Sequence, residues 1–423
     1  GSEKAYPSQR FGVHPGCLDP TREEVYAALA SLFAEIAEVF PDQYVHVGGD
    51  EVNPKWWQRS EAVQAFIVEH GLEDERGLQN YFLHCVQQIL ASLDKQIIGW
   101  DEVLHEQMPE CVVQNWRGAT TRDRALAVAR SCIVSAPYYL DLHFPADIHY
   151  QFDPQAPQQS WLAMENALAE DRRLRHIAPA LSWTHQWRAG AIELDHEPAA
   201  KVLGGEACLW AELVDGPTLP MRLWGRLPAI AERLWSSADC RDSIDFYRRL
   251  STLLEFPELS WDAHQSQCLQ DLGLNALQIE VVRWLEPTKW YSRLLGTEAM
   301  QARLQGSEMP QARPYQVHTP LNRVVDYLAP ESLSARNLVR EANLQELTEK
   351  CDRALAQSWS GIDEDVVTAL TATWDALQLT QDATAGRRAK DQVLSVLEER
   401  YQPHGEYMPA LIPHLIDWLT EAR

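Results

Sequence analysis

Gln43-Tyr44-Val45-His46-Val47-Gly48-Gly49-Asp50-Glu51 reads as a short buried strand that runs into two glycines and ends on adjacent carboxylates. The glycines let the chain turn sharply at the strand's end. Neighbouring side chains on extended chain point different ways, so one carboxylate can face a leaving group while the other contacts a different part of the same ligand. Just upstream, Val25, Leu29, Leu32, Phe33, Ile36, Val39 and Phe40 recur at helical spacing. The pattern predicts an amphipathic helix over 21–40, opened by Asp19-Pro20-Thr21 and closed by Pro41-Asp42.

Downstream the alternation continues. A helix is expected over about 78–93, then strands at 96–100 and 111–116, a helix near 121–130, and strands at 132–135 and 202–206. Strands alternating with helices imply parallel βα units, with a site where the strands end. Beyond residue 240 only helical patterns follow, at about 244–255, 264–285, 333–357, 362–378, 383–402 and 406–422. The fold class is therefore α/β, a partial (β/α) TIM-type barrel of about five parallel strands over 1–240, followed by an all-helical C-terminal domain over 241–423.

The 423 residues carry 37 Lys+Arg against 61 Asp+Glu, a formal charge of −24. At about 150 residues per domain this length suggests two to three domains, or a barrel with an appendage. An acidic surface argues against nucleic acid or an anionic membrane as partner. No apolar run approaches the roughly 18 residues of a spanning helix, and no signal peptide is expected at the start. The eight cysteines are scattered without a C-x-x-C pair. They read as buried free thiols in a reducing, cytoplasmic compartment rather than as a disulfide framework or zinc site.

Of the sixteen tryptophans, three stand in aromatic and acidic clusters at the predicted strand ends. Gly99-Trp100-Asp101-Glu102, Gln114-Asn115-Trp116, Ser135-Ala136-Pro137-Tyr138-Tyr139-Leu140-Asp141 and Gly204-Gly205-Glu206-Ala207-Cys208-Leu209-Trp210-Ala211-Glu212 each bring aromatic rings, carboxylates or both. Flat apolar walls with acids to grip hydroxyls describe a sugar pocket. Trp56, Trp57, Trp224 and Trp235 are expected to be packing residues, as is the cluster Trp284, Trp290 and Tyr291. Glu206, Arg222, Arg226, Glu232 and Arg233 are expected to form buried structural ion pairs, and His46, which precedes the turn, to lie behind the site or in the core.

With these motifs in view, the stretch from Leu18 to Ser236 resembles the catalytic domain of glycoside hydrolase family 20, the β-N-acetylhexosaminidases. His46–Val52 looks like the family's catalytic signature, and Gly205–Asp215 with Arg222–Ser236 like its last-strand region. The resemblance implies retaining, substrate-assisted hydrolysis of terminal β-linked N-acetylglucosamine or N-acetylgalactosamine, without cofactor or metal. By motif position Glu51 would be the general acid and then base, a role that needs a raised pKa. Asp50 would hold the acetamido N–H and stabilise the developing positive charge. Tyr139 would orient the acetamido oxygen, Trp100, Trp116 and Trp210 would wall its pocket, and Asp141 and Glu212 would grip sugar hydroxyls.

The family barrel has eight strands with the acid pair after the fourth, whereas here that pair follows a single helix. An arginine and an Asp and His of the earlier strands are lacking with those units; Arg10 and His14 match two of them by type only. A five-stranded parallel sheet cannot close, so it would leave bare edges and an apolar face to be covered. A second copy of the chain, with a dimer favoured, the C-terminal helices, or a further piece of a longer protein would serve. The alternative function is a sugar-binding or regulatory protein that keeps the pocket without catalysis.

Overall fold

The computed structural model describes residues 8–105, 108, 110–183, 200–308, 310, 314–341 and 343–421. Packing divides the chain into two compact units. The first comprises Gly1–Pro137, Pro154–Ser160 and Thr184–Glu206, the second Tyr138–Asp153, Trp161–Trp183 and Ala207–Arg423. Residues 207–240 thus belong to the same unit as the helices that follow them.

The first unit is built on one parallel sheet, β1 (Tyr44–His46), β2 (Gln96–Trp100), β3 (Val112–Asn115), β4 (Cys132–Val134) and β5 (Val202–Gly205), in spatial order 1-2-3-4-5. The registers Val45↔Ile97, Ile98↔Val112, Val113↔Cys132 and Cys132↔Val202 align the C-terminal ends of successive strands. Every residue of β3 is buried, as a central parallel strand requires, whereas Tyr44, His46 and Leu203 on the outer strands are exposed. Among the described residues β1 pairs only with β2 and β5 only with β4. The expected partial barrel is therefore present as an open five-stranded sheet.

Helices α1 (Glu23–Val39), α2 (Lys55–Arg59), α3 (Glu61–Glu69), α4 (Glu75–Ala91) and α5 (Ala119–Ala127) complete this unit. Leu83, Val86 and Leu90 of α4 pack on Ile97, Val113 and Cys132 of the sheet. On the other flank Trp57, Val63, Ile67 and Leu78 form a smaller core, and the Trp57 indole N–H donates to Leu18 O at 2.9 Å. The apolar stripe of α1 behaves differently from the expectation. It meets α4, with Tyr26 and Phe82 rings 5.9 Å apart, but no α1 residue is fully buried, and Leu32, Val39 and Phe40 are exposed.

The second unit centres on Trp284, Leu370, Leu377, Leu411, Ile412 and Leu415. Its helices include Ser243–Leu253, Asp262–Asp271, Leu333–Glu341, Leu344–Leu355, Glu364–Thr384, Lys390–Arg400 and Leu411–Glu421. The single helix expected over 264–285 is two, because Gly273 takes φ +93° and Asn275 caps a new helix, Ala276–Val282. The helical region also holds one antiparallel pair, β6 (Leu285–Pro287) with β7 (Tyr407–Pro409). Trp284 is fully buried and Trp290 packs edge-on against Tyr291. Trp187 and the side chain of Trp183 lie outside the described residues. No described helix is long and apolar enough to cross a membrane.

Gly99 ties the sheet to the turn after β1. A Cβ there would lie 2.1 Å from Val103 Cγ1 and 3.0 Å from Gly48 O. Gly99→Ala is expected to lower stability by about 1–3 kcal/mol through overpacking, read as a lower urea midpoint. An unchanged midpoint would mean the turn shifts freely.

Candidate active site

The turn after β1 is pinned on every side. Val47 N donates to Ile98 O at 2.8 Å, continuing the ladder for one residue beyond the strand. Gly48 and Gly49 then take φ +71° and +96°, conformations glycine adopts without steric cost. Gly48 O accepts Trp100 N–H at 3.0 Å, Gly49 O accepts the buried Gln79 amide at 2.8 Å, and Gly48 N–H donates to His46 Nδ1 at 3.1 Å. Glu51 follows at φ +47°, left-handed backbone that costs a non-glycine residue roughly 1–2 kcal/mol. Asp50 is half-buried and Glu51 exposed. The sheet and α4 thus force two adjacent carboxylates out of the strand's C-terminal end by way of a strained link.

Trp100 ends β2 buried, edge-on to His46 with ring centroids 5.2 Å apart. Asp50 and Glu206 both act on the same imidazole electrostatically. After β2 the chain makes a 3-10 turn, Asp101–Val103, whose two acids order the next strand's end. Asp101 is buried and accepts three donors: Asn115 Nδ2 at 2.9 Å, Trp116 N at 2.9 Å and Arg117 N at 2.8 Å. Burial pushes its carboxyl up to about 6, and those donors oppose the rise. Glu102, also buried, accepts the Trp116 indole N–H at 3.1 Å and the Arg117 guanidinium at 2.5 Å, while that guanidinium lies 4.9 Å from the Trp116 ring centroid. The indole of Trp116 is therefore locked in plane and tilt by an acid from the neighbouring strand end.

The second unit carries the other expected residues. Cys208 N donates to Tyr138 O at 3.0 Å and Leu140 N to Cys208 O at 2.7 Å, so Tyr139 lies on a short parallel bridge opposite Cys208. Tyr138 is buried, its hydroxyl donating to Phe152 O at 2.9 Å, and Tyr139, pointing the other way, is half-buried. Asp141 is buried and accepts Trp210 N–H at 3.4 Å. Trp210 is 44% exposed, and burial raises the Glu212 carboxyl above its ordinary value. Asp50 and Trp100 therefore gather on His46, and Trp116 on Glu102, while Tyr139, Asp141, Trp210 and Glu212 share the second unit.

Burial, reinforced by Glu212 and opposed by Arg226, pushes Asp141 up to about 7. Between the ordinary carboxylate range near 4 and pH 7 the folded state then holds a proton that the unfolded chain releases. Stability from this group is full at low pH and falls as pH rises through 7. Asp141→Asn is expected to abolish that slope and to raise the urea midpoint at pH 8 relative to the parent. Parallel pH profiles for the two proteins would reject the assignment.

The arginines correct the sequence expectation. Arg222 donates to Leu328 O and Asp326 O, each at 2.7 Å, Arg226 to Leu140 O at 2.7 Å and Arg222 O at 2.6 Å, and Arg233 to Ser237 O at 2.6 Å and Cys240 O at 2.9 Å. They staple backbone carbonyls rather than pairing with the named acids, because a buried guanidinium has more donors than one carboxylate can use. Arg226 in this way holds the Tyr139–Asp141 segment. Glu232 pairs with Arg249 on the surface and exposed Glu206 accepts from Gln114 at 2.9 Å. Trp235, expected in the core, is 93% exposed at the end of Leu227–Trp235, while Trp57 is buried as expected. The supporting roles of Gln79, Asp101, Glu102, Asn115 and Arg117 were not foreseen. For Asp101, Glu102, Asn115 and Arg117 the one signal was polar residues inside or just after buried strands, and for Gln79, inside α4, there was none.

A model of the glycosyl hydrolase family 20 catalytic domain matches residues 1–238. Over 245 residues the chain is 34% identical to the beta-hexosaminidase subunit beta of Homo sapiens, covering 56% of this chain and 38% of that protein. Over 248 residues it is 30% identical to the beta-hexosaminidase subunit alpha of Mus musculus, covering 56% and 40%. The chain spans about two fifths of the length of these relatives. Its fold is similar to the X-ray structure of Flavobacterium johnsoniae chitobiase, with a TM-score of 0.73 at 22% identity over 97% of this chain and 61% of that one.

Proposed function

Since the chain belongs to glycoside hydrolase family 20, we propose that it hydrolyses terminal β-linked N-acetylhexosamine residues of glycans or glycosides with retention, using the substrate's own acetamido group as nucleophile. The observation that carries this reading is the pinned Gly48-Gly49 turn, which sets Asp50 and Glu51 side by side at the end of a parallel strand.

In the first step the Glu51 carboxyl gives its proton to the glycosidic oxygen as the bond to the anomeric carbon breaks. The acetamido carbonyl oxygen forms the new bond to that carbon, leaving an oxazolinium ion. Asp50 accepts the acetamido N–H and offsets the positive charge. In the second step the Glu51 carboxylate takes a proton from water, whose oxygen attacks the anomeric carbon and reopens the ring with net retention. Tyr139 orients the acetamido oxygen, Trp100, Trp116 and Trp210 exclude water from it, and Asp141 and Glu212 hold sugar hydroxyls. For Trp116 the support is the Glu102 and Arg117 contacts that fix its ring, and for Asp141 its hold on the Trp210 backbone.

The test is release of nitrophenol from an aryl N-acetyl-β-glucosaminide, with inhibition by a thiazoline mimic of the oxazolinium ion. Binding of the thiazoline without turnover would replace the hydrolase by the sugar-binding reading.

A second copy of the chain is proposed to cover the open sheet. Among the described residues the outer edges of β1 and β5 have no strand partner, and this, with the exposed Leu32, Val39 and Phe40, supports the proposal. Light scattering is expected to give twice the 48.2 kDa chain mass; a monomer of that mass would sink it. The thiols of Cys111, Cys132 and Cys351 are buried, which supports a cytoplasmic setting.

A further inference from the structure

His46, Gln114, Ser135 and Glu206 stand at the ends of β1, β3, β4 and β5. The Gln114 amide nitrogen donates to Ser135 Oγ at 2.9 Å and to Glu206 Oε1 at 2.9 Å. An amide NH2 has two hydrogens, so both are used, and Gln114 also acts on the His46 ring. On the other side of the ring, His46 Nδ1 faces Gly48 N–H at 3.1 Å and can only accept it. A neutral imidazole accepting at Nδ1 carries its hydrogen on Nε2. The Gly48 N–H thus goes to Nδ1, and the Gln114 amide hydrogens go to Ser135 and Glu206.

We infer that His46 is a positioning residue for the acid pair, its imidazole accepting the Gly48 N–H and lying edge-on to Trp100. Gly48 is two residues before Asp50, and its carbonyl is already committed to Trp100 N–H. Losing the contact to Nδ1 frees the near side of the turn, which moves both carboxylates. The inference rests on the hydrolase reading for its catalytic consequence, but the tautomer and the turn stand on geometry alone.

Protonation opposes the arrangement, because an imidazolium presents N–H to the Gly48 N–H. The groups facing the ring are Asp50 from the turn, the Trp100 ring from β2, Gln114 from β3 and Glu206 from the end of β5. Partial desolvation lowers the imidazole pKa below its ordinary value, while Glu206 and Asp50 pull the other way. With the folded pKa depressed, the neutral form and the pinned turn persist at neutral pH and are lost as pH falls through that pKa.

Two variants and one spectrum test this. His46→Phe is expected to lower kcat on the order of 10²-fold, the cost of misplacing reacting groups by about 1 Å, with KM little changed. In His46→Asn the side-chain oxygen can accept the N–H two residues on, as in an Asx turn. This variant is expected to recover most of kcat and to lose the part of the acidic limb that titrates with the imidazole. Equal losses in both variants, or an unaltered acidic limb in His46→Asn, would overturn the inference. Imidazole 15N spectra of histidine-labelled protein, with His46 assigned by its absence in His46→Asn, are expected to show the Nε2–H tautomer at pH 7. An Nδ1–H tautomer or an imidazolium there would overturn it as well. If the parent fails to turn over any N-acetylhexosaminide while the Nε2–H tautomer is found, the hydrolase reading has failed and the turn assignment has not.

Discussion

Glu51→Gln is expected to lose kcat by about 10⁴-fold on an aryl N-acetyl-β-glucosaminide, the upper end of general acid–base contributions, because one side chain serves both steps. Gln keeps the size and shape of Glu, and Glu51 is exposed, so folding should be untouched. The position already takes left-handed backbone at φ +47°, and the substitution leaves that burden unchanged. The two halves of the role separate by choice of substrate. A dinitrophenyl leaving group departs without protonation, so the first step recovers and the deficit moves to the attack of water. Azide needs no base to become a nucleophile and is expected to restore turnover, giving the β-glycosyl azide. Near-parental rates in Glu51→Gln on an unactivated aryl glycoside would reject the assignment outright.

Asp50→Asn is expected to cost on the order of 10²–10⁴-fold in kcat, the range for removing a group that stabilises charge in the transition state. Charge, not shape, is what the substitution removes. The oxazolinium ion is positive whereas the ground-state acetamide is neutral, so the loss should fall on kcat far more than on KM. Thiazoline affinity should drop by a factor that tracks kcat/KM, since that inhibitor mimics the charged intermediate. Unchanged thiazoline affinity in an otherwise inactive Asp50→Asn would mean that the carboxylate serves some other step. Tyr139→Phe, which removes only the hydroxyl, is the companion measurement, with a loss in the same range expected.

The two carboxylates were visible from sequence because their placement is local. A strand of a few residues, two glycines and two acids leave little choice of path, and Gly48 at φ +71° and Gly49 at +96° bear this out. The mounting of those acids was not visible. Gln79 comes from α4 to hold Gly49 O, and Gly99 lets β2 approach Gly48 O where any side chain would collide. Trp100, Trp116 and Trp210 were selected alike as pocket walls, yet Trp100 is buried, Trp116 is fixed by Glu102 and Arg117, and Trp210 is largely exposed.

Residue type and spacing alone determined the five strands, their parallel sense and the helices α1, α4 and α5. Each of these follows from hydrophobic period and turn residues within a few positions of one another. Tertiary structure alone decided that α1 leaves its stripe half open, that Arg222, Arg226 and Arg233 staple carbonyls instead of pairing with acids, and that Gln114 reaches Glu206 across 92 residues of sequence. A buried donor takes whichever acceptor the fold brings within about 3 Å. No local pattern encodes which one that will be.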